Sequence, residues 1–411
     1  MTTLRAAMVA GSLLAAAAMA QPPRYLVTDL GKVGPNGQPF TIAGNSLVVG
    51  ATQIGNTVDA ALWYSGRVAD LGTPGLESQN SMALGVNVWG QAVGETQTAS
   101  PDPQGEDFCG FAALGLTSSG TACVPFLWQN GVIRALPLLG GNNGLATQIN
   151  VGGEATGMSE TDTPDSTCPS DGPQKLQFEP VVWRKAGGVA ELPTYSGDPD
   201  GEAHAINDRG QVAGGSGECT AFNPIWLTNL QPLHALLWDD GRAIDLGSLG
   251  GTGHGNGIEA LGLNNGGQAI GFSDLTGDAS FHAFLWTSET GMQDLGTVPG
   301  DVYSAAIGIN DSGRVVGVSL DASFSPRAFL RQGKDLIDLN TLVPAGFPLY
   351  LATACSINAA GEITGIAIDK SSGDVHGYRA VPLPTERNVW SMPGLGSTPR
   401  LQLQRFAIGR R

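Results

Sequence analysis

The sequence predicts an all-β protein, a seven-bladed β-propeller with four short antiparallel strands in each blade. Three observations predict it. A turn spelled Asn-x-x-Gly recurs between apolar runs, a second recurring run ends in tryptophan, and one strand is spare at the front of the array where one is wanting at the back.

The turn is plainest in "GINDSGRVVGVS" (308–319). Its relatives are "GVNVWGQAVGET" (85–96), "QINVGGEATGMS" (148–159), "AINDRGQVAGGS" (205–216), "GLNNGGQAIGFS" (262–273) and "SINAAGEITGIA" (356–367). "TIAGNSLVVGAT" (41–52) reads as a worn copy with a shortened turn. Asn opens a type I turn by bonding nearby backbone, and Gly three positions on takes a left-handed conformation. That is the chemistry of a hairpin closed by a G1 bulge. Asn310 and Gly313 are therefore turn residues rather than catalytic ones, and the runs flanking them are strands a and b.

Strand c follows after a variable gap: "DAALW" (59–63), "VPFLW" (124–128), "EPVVW" (179–183), "HALLW" (234–238), "HAFLW" (282–286), "RAFLR" (327–331) and "HGYRA" (376–380). A short turn then leads to strand d and "DLG" or a variant, opened by Asp70, Ala135, Glu191, Asp245, Asp294 and Asp338. Repeated units of four short strands are the mark of a propeller. The seventh unit has a, b and c but no d, while "RYLVTDLG" (24–31) precedes the first a. Closing the ring with that strand removes both exposed sheet edges. Strand a carries small residues (Ser304, Ala305, Ala306, Gly308) that suit a crowded channel wall. Trp63, Trp128, Trp183, Trp238 and Trp286 share one register of strand c and are expected as inter-blade core. Arg331 replaces them in unit six, its stem packing while its head reaches solvent.

Composition agrees. Only 14% of residues are charged and 60 are Gly, which disfavours helices and favours short strands with tight turns. Residues 1–20 read as a secretory signal peptide, with Arg5, an Ala-rich apolar core and Ala18-Met19-Ala20 before Gln21. No later segment is long and apolar enough to span a bilayer. Setting aside Arg5, and Glu386 with five arginines after 383, leaves 15 basic against 36 acidic side chains, a net −21. Such a body repels nucleic acid and anionic membranes. Five cysteines suit export. Cys109 and Cys123 bracket a short loop and are expected to pair; Cys168 and Cys219, in two further loops, are the other disulfide candidates. Cys355, in an apolar strand, is expected as a buried free thiol. No Cys/His spacing suggests zinc.

"HAFLW" with "DLG" before a Gly-rich crossover, and "GIN-x-x-G-x-VVG-x-S", resemble the HAF repeats of bacterial extracellular repeat proteins. The resemblance spans 24–383, strongest in units five and six and weakest in unit one. It implies an exported bacterial repeat protein, and it brings no activity, cofactor or catalytic residue. "VPLP" (381–384) and Arg410-Arg411 resemble the outer parts of a bacterial sorting tail. The interval is broken by Pro393, Pro399, Arg400 and Arg405, so 384–411 reads as a basic, disordered tail beyond a single propeller domain over 21–383.

Chain order puts the b–c loops and d–a crossovers on one face and the a–b and c–d turns on the other. The insertions 97–122, 160–177 and 217–232 all fall in b–c loops, so that loop face is where binding is expected. Asp198, Asp200 and Glu202 in "SGDPDGEAH", His254 in "GGTGHGNG" and Asp301 in "PGDVY" are its candidate binding residues. They read either as ordinary turn residues of an acidic protein, or as a Ca²⁺ cluster or an acid pair for glycosidic chemistry. "DPDGE" is too short for an EF-hand. The histidines at 234, 282 and 376 repeat one strand-c position on separate blades, too far apart to share an ion, and are structural. The glycines of "GGTGHGNG" precede no helix-forming run and bind no dinucleotide.

The function expected is a secreted, non-enzymatic binding or surface-interaction module for an extracellular glycan or protein. The alternatives are a propeller hydrolase or lyase acting on extracellular polysaccharide, and a structural component of the cell surface or matrix. An enzyme should gather perturbed carboxylates at the channel mouth. A binder should show an exposed apolar or aromatic patch there.

Overall fold

A computed structural model describes residues 25–32, 41–54, 57–72, 80–111, 120–170, 172, 174–223 and 228–383. The expected signal peptide (1–20) and the expected basic tail (384–411) lie outside them. The described chain forms seven four-stranded antiparallel sheets, each in the order a-b-c-d. Blade four shows the plan: Asp200–Ile206, Val212–Asn223, Thr228–Asp239 and Arg242–Asp245. Blade seven is built from Leu349–Ile357, Ile363–Asp369, Val375–Pro382 and, as its strand d, the N-terminal Tyr25–Lys32. Tyr25 pairs with Pro382 and Lys32 with His376, so the chain's beginning closes the ring as expected.

The "DLG" run is a capped strand end. In five blades the Asp carboxylate accepts the N–H two residues on: Gly31 on Asp29, Gly72 on Asp70, Gly247 on Asp245, Gly296 on Asp294 and Asn340 on Asp338, all at 2.7–2.9 Å. The Asp is the last residue of strand d in four of them, while in blade seven the strand runs on past a bulge to Lys32. The Leu between is buried against the next blade at Leu71, Leu246, Leu295 and Leu339. Strand c's tryptophans fill the same seams. Trp63, Trp183 and Trp238 are buried, and each indole N–H reaches the preceding blade, to the carbonyls of Leu30, Pro137 and Pro193 at 2.7–3.0 Å. Arg331 is half-buried in that register.

Strand a, innermost, carries a β-bulge in blades two to six, which leaves Leu84, Thr147, His204, Leu261 and Ile307 out of register. The bulge explains the glycine of "VVG": a Cβ on Gly317 would sit 2.1 Å from the carbonyl oxygen of Ala305. Blade seven bulges twice, and one bulge residue is Cys355. It is in no disulfide among the described residues, as expected, but half-buried rather than buried, because the bulge turns it out of the ladder.

Two expectations about loops are corrected. The turn of blade one is not shortened: Ala43 and Ser46 stand where the other blades have Asn and Gly, with the same pairs of backbone bonds. Ser46 holds φ 64° in the glycine's place. The blade-four insertion is not an open loop either. Its strands b and c continue pairing past two register shifts, as far as Asn223 opposite Thr228.

A chain lacking residues 21–31 loses the buried Tyr25 and Val27 and uncovers the edge of blade seven. It is expected to unfold at a clearly lower temperature than a chain that begins at Gln21, by calorimetry. An unchanged melting profile would contradict ring closure by this strand.

Candidate functional site

The loop face is braced covalently. Cys109–Cys123 closes the blade-two insertion, and Cys168–Cys219 ties the blade-three insertion to strand b of blade four. Two disulfides mark an oxidising, extracellular or periplasmic environment. Polar bonds add to the brace. Glu106 of the blade-two loop accepts the N–H groups of Lys175 and Leu176 at 2.6 and 3.1 Å. The Asn143 amide donates to Asp102, Glu106 and Glu160 at 2.9–3.2 Å. Burial and the nearby Glu106 push Glu160 up to about 8.

The five candidate residues fall into separate environments. Asp198 accepts from Ser216 at 2.6 Å and lies 2.8 Å from His234 Nδ1, on which Tyr195 stacks at 3.8 Å. Asp301 lies 3.0 Å from Arg327 Nε. In both places a crossover aspartate is clamped to the first polar residue of the next blade's strand-c motif. His254 is exposed beside Thr252, whose hydroxyl and N–H are held by Asp278. The glycine-rich crossover around it wraps an internal carboxylate: Gly255, Asn256 and Gly257 donate their N–H groups to Asp274 at 2.9–3.1 Å. Those glycines serve an aspartate of this chain.

Asp200 is fully buried and accepts from Phe178 N–H at 3.1 Å. Burial and the hydrogen-bonded Asp165 push its carboxyl up to about 9. Glu202 belongs to a trio that sequence reasoning found only in part. His204 Nε2, on the bulge of strand a, lies 2.8 Å from Glu259 and 3.6 Å from Glu202. Burial alone would lower the imidazole, but Glu259 and then Glu202 outweigh it and hold it at about 10. Burial would likewise raise Glu202, yet the charge and hydrogen bond of His204 keep it below its ordinary range. The donor atoms of the three lie within 4.8 Å of one another, a spacing that suits a metal ion. The imidazolium already supplies the positive charge that such an ion would bring. The other two His/Cys/Asp/Glu groups of that compactness among the described residues include disulfide sulfurs, which are not thiolate ligands.

The structure explains the repeated histidine. In blades five and seven the His of strand c faces the Asp of the "DLG" run, His282 lying 2.9 Å from Asp294 and His376 2.9 Å from Asp29, whereas His234 in blade four turns to Asp198 of the crossover. Blade six writes the pair as Arg327 and Asp338. Blade three writes it as two acids, and burial beside Glu191 pushes Glu179 up to about 8.

One aromatic group stands apart. Phe281, Tyr303 and Phe324 stack in a row, with centroids 5.2 and 4.7 Å apart, running from the buried start of strand c in blade five to the b–c turn of blade six. Phe324 is 47% exposed. The turn that holds it, "DASF" (321–324), repeats the chemistry of Asn-x-x-Gly: Asp321 accepts from Ser323 and Ser325, and Phe324 N–H closes on the Asp321 carbonyl. Phe324 occupies the glycine position at φ 58°, which is costly for a bulky side chain. The signal was in the sequence as an aromatic where the turn asks for glycine.

The sequence matches no family model and no curated protein. Among solved structures it is similar to virginiamycin B lyase from Staphylococcus aureus, with 10% identity and a TM-score of 0.45, over 87% of this chain and all of that one.

Unfolded, Asp200 ionises near 3.8; folded, it keeps its proton to about 9. The folded state therefore holds the extra proton between those values, and stability falls as pH rises through that window. Asp200→Asn keeps the acceptor for Phe178 and offers an N–H to Asp165. It is expected to raise the urea midpoint near pH 7 and leave it unchanged near pH 3. A variant less stable than the parent at pH 7 would show an ionised carboxylate at work instead.

Proposed function

We propose that the protein is a secreted, non-enzymatic binding module of the HAF-repeat type, which captures a neutral glycan on its loop face. The observation that carries this reading is the half-exposed Phe324 stacked on Tyr303. Its backbone conformation costs about 1–2 kcal/mol relative to glycine, and nothing in the turn's hydrogen bonding requires the ring. Strain kept at an exposed aromatic is a pointer to function. A flat ring on a rigid frame offers a sugar face a large contact at little entropic cost. The disulfide-braced insertions of blades two to four rise from the same face.

The hydrolase or lyase reading has less support. Of the neighbouring perturbed carboxylates, Glu106 and Glu160 are 2% and 0% exposed, and Glu202 and Glu259 are 4% and 1% exposed. The nearest donor atoms of Glu202 and Glu259 lie closer than 4.8 Å, inside the separations of about 5–9.5 Å that glycosidase acid pairs use.

Phe324→Gly separates function from fold. The variant is expected to be at least as stable as the parent in thermal unfolding, and to lose most of its retention of neutral oligosaccharides on a glycan array. Equal retention by parent and variant would sink the reading, and so would a marked loss of stability, which would make the ring a core residue.

A further inference from the structure

The opposite face, where the a–b and c–d turns emerge, carries a groove of about 500 Å³ between blades two and three. Trp89, Gln91, Gln129, Arg134, Arg184 and Lys185 line it. Three cations converge there in a domain that has 15 basic against 36 acidic side chains. Arg184 is 3.2 Å from Glu154 in a solvent-exposed pair of the kind that contributes little. Arg134 and Lys185 are exposed and have no ion pair among the described residues.

The aromatic is as unusual as the charge. Trp89 is 69% exposed, and its indole N–H donates to the Val151 carbonyl at 3.0 Å, which pins the ring from the turn of blade two across to that of blade three. The third position of this turn is Gly152, Arg209, Gly266, Ser312 and Ala360 in blades three to seven, so backbone geometry does not ask for tryptophan. Arg134 pairs with Leu127 in a register where the other blades place Ala69, Ala190, Ile244, Gln293, Ile337 and Thr28. The amides are already aligned. Asn87 donates to Gln91 Oε1 at 2.8 Å, and Gln91 Nε2 reaches Gln129 Oε1 at 3.3 Å.

We infer that this groove is a second binding site, specific for an acidic polysaccharide that bears carboxylates on its sugar rings. A pyranose stacks on the Trp89 indole, its carboxylate meets Arg134 and Lys185, and its hydroxyls bond Gln91 and Gln129. Arginine and lysine suit the anion because they give charge-assisted hydrogen bonds. The groove's volume falls in the range that holds a few sugar units. A nucleic acid fits less well, since the cations span only two blades and the net −21 beyond them repels a continuous phosphate chain. The site lies on the face opposite Phe324 and does not depend on neutral-glycan capture there.

The test uses the full mature chain, titrated calorimetrically with galacturonate oligomers at low salt. The parent is expected to bind them, to bind neutral glucan oligomers of equal length at this groove not at all, and to lose affinity as salt rises. Trp89→Ala is expected to weaken galacturonate binding about tenfold or more, and Arg134→Gln or Lys185→Gln several-fold with a smaller salt dependence. These side chains are exposed, so melting temperatures should stay within a degree or two of the parent's. Phe324→Gly should leave galacturonate binding intact, which separates the two sites. No galacturonate binding by the parent, undiminished binding by Trp89→Ala, or tighter binding to a single-stranded DNA of matching length would each overturn the proposal.

Discussion

A single carboxamide, repeated, holds this ring together. The turn asparagine of blades two to seven uses its oxygen at home and its nitrogen to reach the next blade. In blade four, Asn207 Oδ1 accepts from Arg209 and Gln211 N–H and so closes the turn, while Nδ2 donates to the Asn264 carbonyl of blade five at 3.1 Å. The same step runs from Asn87 to Asn150, from Asn150 to Asn207, from Asn264 to Asn310 and from Asn310 to Asn358, at 2.9–3.2 Å. Asn358 passes it to Ala43 in blade one, and Asn45 returns it to Val88 in blade two. The circuit closes through seven blades. Each bond is worth about 0.5–1.5 kcal/mol net, but leaving one buried partner unmade costs more, so the steps reinforce one another.

That circuit fixes the turn face, and the geometry of everything else follows from it. With the inner strands held in a ring, the tryptophan seams and "DLG" leucines pack blade against blade, and the N-terminal strand has one place left to go. The loop face then rises from a rigid base, and its insertions can be elaborated and cross-linked without disturbing the seams. The side chains that depart from the repeat, Phe324 on one face and Trp89 and Arg134 on the other, stand on this frame. Neither strain nor exposure at those positions is forced by the ring, which is why they read as functional.

Architecture was legible in the sequence because its signals are local. Asn-x-x-Gly fixes a turn within four residues, and "DLG" a strand end within three. Blade count and closure needed only chain order. Relations between blades were harder to read. The second bond of Asn310 lies 48 residues away. His282 looked merely repetitive until Asp294 proved to face it across one hairpin. Glu202 stood out as an acid in a turn-rich stretch, but its partners His204 and Glu259 are joined to it by a bulge and a neighbouring blade, neither of which spelling predicts. The loop-face candidates dispersed for the same reason: residues close in sequence, such as Asp198 on the crossover and Asp200 and Glu202 on the inner strand, meet different partners.

The asparagine circuit is tested most directly by Asn207→Asp, followed by chemical unfolding from neutral to acid pH. Aspartate keeps both acceptor bonds of the turn but sets a carboxylate oxygen against the carbonyl of Asn264 and the oxygen of Gln211, where the amide donated before. The variant should unfold in one transition at pH 7, less stable than the parent by about 1–3 kcal/mol. The deficit should shrink as pH falls and the new carboxyl takes up the proton that lets it donate again. A variant as stable as its parent at every pH would mean that packing alone closes the ring and that the asparagine circuit contributes nothing to it.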